Sequence, residues 1–227
     1  MAQVEWTALE SNPEAINQFL GKIGVSSVDC VDVYSFDDEM LAFIPKPQLA
    51  MLLCFPDYRK VDAIMRPIYD KLQQEGTKVP ENVFFMEQKI RNACGTFALF
   101  HALGNIEKQA DMGHGPFRAF LDKAKALKPA EISGLLEKTS DLATAHEEAA
   151  RSGETETPAG DKVEHHFICF VGVDGTLYEI DSRAPFPRPL GNTTPDTLVK
   201  DAGVHVQKLM SQMDNISFAA MAIVPKQ

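Results

Sequence analysis

Two apolar runs joined by Asp174-Gly175 constrain the fold of this chain more than any other feature. The first run ends at Val173 and the second begins at Thr176. Asp-Gly between two such runs is a strong signal for a β-hairpin with a two-residue turn. That turn pairs Val173 with Thr176, and each further step pairs the next residue of each run, so that Ile168 faces Asp181. The sequence therefore predicts an antiparallel hairpin of defined register.

The same register places a histidine beside a carboxylate. Side chains alternate between the two faces of a strand, so His166, Ile168 and Asp181 share one face. His166 is then a diagonal cross-strand neighbour of Asp181, whereas His165 points to the other face. A neighbouring carboxylate orients an imidazole and stabilises its protonated form, so the register selects His166 as the candidate base. A nucleophile that uses this base should pack against the same face.

Cys94 is the candidate nucleophile, because it lies at the start of a predicted buried helix, just before the apolar run at 97–100. The N–H groups and the dipole at a helix N-terminus favour a thiolate over a thiol. Gln88 lies upstream and can donate a hydrogen bond to an oxyanion, with the Cys94 backbone N–H as a second donor. Gly95 is expected to let the backbone turn tightly beside the thiol. A cysteine taken alone is more often a core residue, but these neighbours favour catalysis.

Segments along nearly the whole chain resemble the ubiquitin carboxyl-terminal hydrolase family of cysteine proteases, in its small single-domain branch. The resemblance is found at 6–14, 31–34, 44–47, 88–96, 166–168 and 178–187. It implies that Cys94 is the nucleophile, that His166 is the general base and acid, and that Asp181 orients the histidine. Gln88 is implied as the oxyanion donor. The sequence departs from the family pattern at Ser182 and Ala184, which we expect to affect substrate preference only.

The family resemblance also implies a fold. We expect one ubiquitin C-terminal hydrolase catalytic domain over 1–227, of the α/β (α+β) class. Its architecture would be a papain-like α-β-α sandwich, with a central, mostly antiparallel sheet flanked by helices and a knotted backbone.

The apolar pattern predicts the elements of this fold. Asn12 as a cap and Pro13 begin a first helix, which ends before Gly24. Further helices are predicted at 58–74, 94–103 (closed by Gly104), 116–125, 129–150 and 194–213, and strands at 28–34, 48–55, 165–173, 176–181 and 216–224. The second strand is almost wholly apolar, which indicates a central position in a sheet covered on both faces.

A polar stretch at 147–162, directly before the His166 strand, is predicted to be a mobile loop. Composition alone is equally compatible with a plain surface connection. The resemblance implies the active-site crossover loop of the family. Such a loop, as a closed span, would admit small adducts and short peptides and exclude a folded leaving group.

The resemblance names ubiquitin as the partner and makes the related modifier Nedd8 a plausible second one. It implies contacts with ubiquitin from residues near the N-terminus and near the last strand: Leu9, Glu10, Asn12, Asn215 and Phe218. Glu10 would pair with an arginine of the ubiquitin tail. The reaction needs no cofactor.

Composition excludes several other classes. The net charge of −10, from 32 acidic and 22 basic residues, argues against binding to nucleic acid. The excess of acidic residues is compatible with a basic partner, or it only keeps the protein in solution.

The four cysteines form no C-x-x-C pair, and His165 and His166 point to opposite faces, so we expect reduced thiols and no metal site. No apolar stretch could span a bilayer and no leader is visible, so we expect a cytoplasmic protein without membrane contact. We also expect a monomer.

Two other functions are compatible with the same residues. One is a ubiquitin-binding protein that stabilises free ubiquitin and hydrolyses slowly. The other is an acyltransferase with Cys-His-Asp chemistry, which would need an acceptor pocket that no segment of the sequence indicates.

Overall fold

The computed structural model describes residues 4–153, 164–213 and 217–227. Its helices are Pro13–Lys22 (α1), Asp38–Leu41 (α2), Tyr58–Gln74 (α3), Cys94–Asn105 (α4), Pro116–Ala124 (α5), Pro129–Glu137 (α6), Ser140–Arg151 (α7) and Leu198–Met210 (α8). Its strands are Val28–Val33 (β1), Ala50–Phe55 (β2), His166–Val173 (β3), Thr176–Ile180 (β4), Arg188–Asn192 (β5) and Ala219–Pro225 (β6).

The six strands form one sheet in the order β1-β6-β2-β3-β4-β5, and every neighbouring pair is antiparallel. Strand β2 lies inside the sheet and all six of its residues are buried, as its apolar sequence predicted. The β3-β4 hairpin has the predicted register, with Val173 opposite Thr176 and Cys169 opposite Ile180. The mixed α and β architecture with an antiparallel sheet is therefore confirmed.

Each face of the sheet carries its own hydrophobic core, because successive side chains of a strand point to opposite faces. On the first face, Phe167 and Cys169 of β3 pack in a core with residues of α1 and α4 to α7. On the second face, Ile168 and Phe170 pack in a core that includes α8 and Val61 of α3. The sheet is thus the middle layer of an α-β-α sandwich.

Helix α1 begins as its sequence predicts. The Asn12 side chain accepts a hydrogen bond from the Glu14 backbone N–H at 2.8 Å, and Pro13 is the first helical residue. Ile16, Phe19 and Leu20 are buried in the first core. A polar cap and an apolar face together fix where this helix starts and what it packs against.

Gly104 does not close α4. Helix α4 continues through it to Asn105, and every residue from Cys94 to Gly104 is buried. A Cβ atom at Gly104 would lie 2.3 Å from the Phe84 ring. The glycine is therefore explained by close packing, not by the end of a helix.

Other differences from the prediction concern helix boundaries and unpredicted elements. Helices α6 and α7 divide the predicted 129–150 segment at Lys138 and Thr139, and α7 extends to Arg151, so the first residues of the predicted loop at 147–162 are helical. The rest of that loop, from 154 on, lies outside the described residues. The short helix α2 and the edge strand β5 were not predicted.

No helix in the described ranges is long and apolar enough to cross a membrane.

Candidate active site

His166 and Asp181 meet as the hairpin register predicted. His166 is the first residue of β3, and Asp181 follows the last residue of β4. The His166 Nε2 atom lies 2.7 Å from Asp181 Oδ1. The same carboxylate oxygen accepts a hydrogen bond from the Arg183 backbone N–H at 2.9 Å. The His166 side chain is 0% exposed. The carboxylate therefore orients a fully buried imidazole.

Cys94 reaches this histidine from the other face of the sheet. The expectation that Cys94 packs on the face of Ile168 was wrong, because Cys94 belongs to the first core together with Phe167. Burial alone favours the neutral thiol, but His166 and the Phe167 backbone stabilise its charged form. Contact between the two faces is feasible because His166 is the first residue of its strand, where the sheet ends.

The electrostatics of the pair favour the charged forms of both partners. Burial opposes a charge on His166, yet Asp181 and Cys94 together raise its pKa to about 9. Burial likewise opposes a thiolate at Cys94, but the neighbouring His166 holds the pKa of the thiol below its ordinary value. His166 in turn holds the Asp181 pKa low against the effect of burial. The array is therefore suited to hold a thiolate beside an imidazolium.

The pKa values of the other three thiols are shifted in the opposite direction. Cys30, Cys54 and Cys169 are buried, and burial raises the pKa of each one, to about 12 for Cys54. A neutral buried thiol is a weak nucleophile. Cys94 is thus the one thiol of the four that is activated.

Two aromatic side chains enclose the His166 ring. The Tyr58 ring lies with its centroid 4.5 Å from that of His166, and Phe55 meets His166 edge-on at 5.8 Å. The Arg183 guanidinium lies over the Tyr58 ring, 4.4 Å from its centroid. These contacts were not predicted. They follow from the β2-β3 register, which pairs Phe55 with His166, and no short-range signal in the sequence fixes that register.

Gln88 is anchored to the residue that follows Asp181. Its backbone N–H donates to the Ser182 carbonyl at 2.8 Å, and its side-chain Oε1 accepts from the Ser182 hydroxyl at 2.8 Å. Its Nε2 donates to the Ile90 carbonyl at 2.9 Å. The expectation that Ser182 affects only substrate preference did not include this contact with the Gln88 amide.

The N-terminal segment holds the turn before Cys94. The backbone N–H of Trp6 donates to the Arg91 carbonyl at 3.0 Å, and Asn92 donates through its side chain to Glu5 at 3.0 Å. Asn92 adopts a left-handed conformation with φ of 59°, which asparagine tolerates better than most residues. These contacts set the direction in which α4 starts.

Gly95 has a different role from the one predicted. It lies within helix α4 and is not among the glycines with positive φ. A Cβ atom at Gly95 would lie 3.1 Å from the Leu9 Cβ and 3.5 Å from the Phe167 ring. The glycine therefore lets the N-terminal segment and β3 approach the helix closely, instead of making a tight turn.

The predicted ubiquitin-binding residues differ in how exposed their side chains are and in the contacts that these side chains already make. Leu9 is 6% exposed and packs in the first core, so little of its side chain is available to a ligand. Asn12 is engaged as the cap of α1, and Glu10 lies against the backbone of Gly153. Phe218 is half-buried and stacks on Phe36 with ring centroids 5.4 Å apart. Asn215 lies outside the described residues.

The remaining histidines lie apart from the site. His165 directly precedes β3 and is exposed, whereas His166 is buried. His101 and His146 are buried and hydrogen-bonded, whereas His114 is exposed and His205 is half-buried. Within the described ranges, no three His, Cys, Asp or Glu side chains are grouped as metal ligands would be.

Comparison with known proteins identifies the family. A model of the family described as ubiquitin carboxyl-terminal hydrolase, family 1, matches residues 6–211. A ubiquitin carboxyl-terminal hydrolase of Drosophila melanogaster is 38% identical over 98% of both chains. Ubiquitin carboxyl-terminal hydrolase 3 of Arabidopsis thaliana is also 38% identical, over 96% of this chain and 93% of its own.

The fold matches that of a solved family member. The Trichinella spiralis UCH37 catalytic domain, bound to ubiquitin vinyl methyl ester, superposes with a TM-score of 0.77. It is 21% identical, and the match covers 98% of this chain and 96% of the other. The family model, the two relatives and the shared fold lead to one conclusion: this chain belongs to family 1 of the ubiquitin carboxyl-terminal hydrolases, a family of cysteine-type deubiquitinating enzymes.

Proposed function

We propose that this enzyme cleaves the bond after the C-terminal glycine of ubiquitin, with Cys94 as nucleophile, His166 as general base and acid, and Asp181 as the residue that orients His166. The observation that carries the proposal is the buried array itself. Asp181 accepts the Nε2 hydrogen bond of His166 at 2.7 Å, and Cys94 is the one cysteine whose pKa is held low.

The proposed roles divide the reaction into the following steps. The Cys94 thiolate attacks the glycine carbonyl carbon, and the carbonyl oxygen becomes an oxyanion. The Gln88 Nε2 atom and the Cys94 backbone N–H at the start of α4 are the donors available to that oxyanion. The His166 imidazolium gives its proton to the leaving amine, which departs as the C–N bond breaks. Water then attacks the thioester while His166 takes its proton, the C–S bond breaks, and ubiquitin is released with the Cys94 thiolate restored beside protonated His166.

The aromatic enclosure supports these steps. Tyr58 and Phe55 pack against the His166 ring, whose side chain is 0% exposed, and so help to keep water away from it. Less water around the imidazolium strengthens its attraction to both the thiolate and Asp181. The enclosure also restricts the ring to the orientation in which Nε2 meets Asp181.

Ubiquitin is the proposed partner, in small adducts and short peptides. A related structure of the same fold holds ubiquitin vinyl methyl ester, and the net charge of −10 suits a partner with a basic tail. Asn12 and Phe218 are half-buried, so part of each side chain is available for contact, and Glu10 is the proposed partner of an arginine in the ubiquitin tail. Processing of Nedd8, a monomeric state and a cytoplasmic location are parts of the same proposal.

The test is turnover of a fluorogenic amide of the ubiquitin C-terminus by wild type and Cys94→Ala. We expect the variant to lose hydrolysis and to keep its affinity for ubiquitin, because the thiol acts on the transition state and not on uniform binding. Ubiquitin affinity is measured by titration calorimetry. Turnover by the variant close to wild type would end the proposal, and tight binding with negligible turnover by the wild type would assign a ubiquitin-stabilising role instead.

A further inference from the structure

The Ser182 side chain is buried beside the proposed oxyanion donor. Ser182 is 3% exposed, and its hydroxyl donates to Gln88 Oε1 at 2.8 Å. The Ser182 backbone carbonyl also accepts from the Gln88 backbone N–H at 2.8 Å. Two hydrogen bonds thus join residues that lie far apart in the sequence, and one of them engages the functional amide.

The contacts of the amide leave one donor free for catalysis. A carboxamide has one oxygen acceptor and two N–H hydrogens. The Ser182 hydroxyl occupies the oxygen, and the Ile90 carbonyl takes one of the two hydrogens on Nε2 at 2.9 Å. The second hydrogen remains for an oxyanion.

The two anchors have different effects. The Ile90 carbonyl is only an acceptor, so it decides that the nitrogen end of the amide faces Ile90. One anchor leaves the terminal torsion of glutamine loosely defined, because that torsion has a broad, roughly two-fold preference. A second hydrogen bond, at the oxygen end, fixes the plane of the amide and with it the direction of the free N–H.

On the basis of the proposed function, we infer that Ser182 is a positioning residue: its hydroxyl holds the Gln88 carboxamide in the plane that aims Nε2 at the oxyanion. Ser182 does not touch the reacting atoms and acts through Gln88. Its loss leaves Gln88 Oε1 without its hydroxyl donor, so the amide becomes free to turn away.

The experiment is a double-mutant cycle on hydrolysis of a ubiquitin C-terminal amide, with Ser182→Ala, Gln88→Ala and the double variant. We expect Ser182→Ala to lower kcat about tenfold with KM within about twofold, as for the loss of one hydrogen bond that acts in the transition state. In the Gln88→Ala background, Ser182→Ala should have no further effect. Ser182→Thr, which keeps the hydroxyl, should recover most of the rate.

Ser133→Ala is the matched control for a merely structural effect. Ser133 is also buried, and its hydroxyl bonds the backbone of Glu87 at 2.6 Å and of Lys89 at 3.2 Å, on either side of Gln88, but not the amide. We expect Ser133→Ala to lower the melting temperature at least as much as Ser182→Ala does. Its loss of kcat should be smaller than that of Ser182→Ala, and in the double variant with Gln88→Ala the two losses should add.

Two results would overturn the inference while the proposed function stands. One is an equal loss from Ser182→Ala with and without Gln88. The other is an unchanged kcat in Ser182→Ala, which would show that Ile90 alone positions the amide. Turnover by Gln88→Ala close to wild type would overturn both the inference and the oxyanion role of Gln88. Failure of the whole proposed function has a different sign, which is hydrolysis by Cys94→Ala.

Discussion

At the scale of single residues, two adjacent histidines offer a matched pair. His166 is fully buried and bonded to Asp181, whereas His165 is exposed. We expect His166→Ala to lower kcat by about a thousandfold or more, since it removes both proton transfer and the partner of the thiolate. His165→Ala should retain most of the rate. Steady-state hydrolysis of a ubiquitin amide measures both, and similar losses at the two positions would contradict the assigned roles.

The pH dependence of the rate tests Asp181. The protonated form of His166 is needed as the acid, and its pKa is raised to about 9, so kcat/KM should fall as the pH rises through about 9. Burial lowers the pKa of His166, and Asp181 is the first of the groups that raise it. Asp181→Asn should therefore move this alkaline limb to lower pH, in addition to slowing the reaction. A pH-rate profile of kcat/KM from pH 5 to 10 measures the shift, and identical alkaline limbs would contradict the role of Asp181.

The parts of the site that the sequence predicts are those set by local signals, whereas contacts between segments far apart in the chain are not predicted. The contact of His166 with Asp181 and the position of Cys94 at a helix start were predictable, because one hairpin register and one helix signal place them, but the face from which Cys94 approaches was predicted wrongly. Tyr58 and Ser182 were not predictable, because their contacts join segments that no local turn connects. Tyr58 reaches His166 only through the pairing of β2 with β3, and Ser182 reaches Gln88 only after the whole fold has formed.

At the scale of the elements, two helical glycines make a further pair. Gly104 in α4 has the Phe84 ring 2.3 Å from where a Cβ would lie, whereas Gly134 in α6 has no such atom within 4 Å. Gly134→Ala should raise the free energy of unfolding by about 0.5–1 kcal/mol, through helix propensity. Gly104→Ala should lower it by about 1–3 kcal/mol, because Phe84 must move. Urea unfolding measures both, and stabilisation by Gly104→Ala would show that α4 does not need this close approach.

The elements that the sequence predicted well are those with their own local signals. A cap and Pro13 begin α1, and Asp174-Gly175 fixes the turn between β3 and β4. Strand β5 was not predicted because it is an edge strand with Pro189 in it, and its residues are mostly exposed, so it lacks an apolar pattern. The four-residue helix α2 is too short to show a period.

At the scale of the whole molecule, buried neutral histidines join distant parts of the chain. His146 of α7 bonds Thr96 of α4 at 2.7 Å and the Thr7 carbonyl of the N-terminal segment at 2.7 Å. His101 of α4 accepts from the Met86 backbone N–H at 3.0 Å. Burial lowers the pKa of both histidines to about 4. Burial therefore favours the uncharged imidazole at both positions, and His146 in this form joins the N-terminal segment, α4 and α7.

These histidines should make the fold sensitive to mild acid. An unfolded chain protonates a histidine near pH 6.5, whereas the folded protein resists protonation until about pH 4. Stability is thus largest above pH 6.5 and is lost as the pH falls from there to about 4, by about 3 kcal/mol for each histidine. His146→Gln should lower stability at pH 7 and yet show a smaller loss between pH 7 and pH 4.5 than wild type.

The measurement is the free energy of unfolding in urea at both pH values, with His114→Gln as control. His114 is exposed, so its substitution should leave the loss between the two pH values as it is in wild type. The comparison between variants removes the contribution of carboxylates, which titrate in the same range in every protein compared. If His146→Gln and wild type lose equal stability on acidification, His146 is not held neutral in the folded state, and the link between the N-terminal segment and the catalytic helix does not depend on its charge.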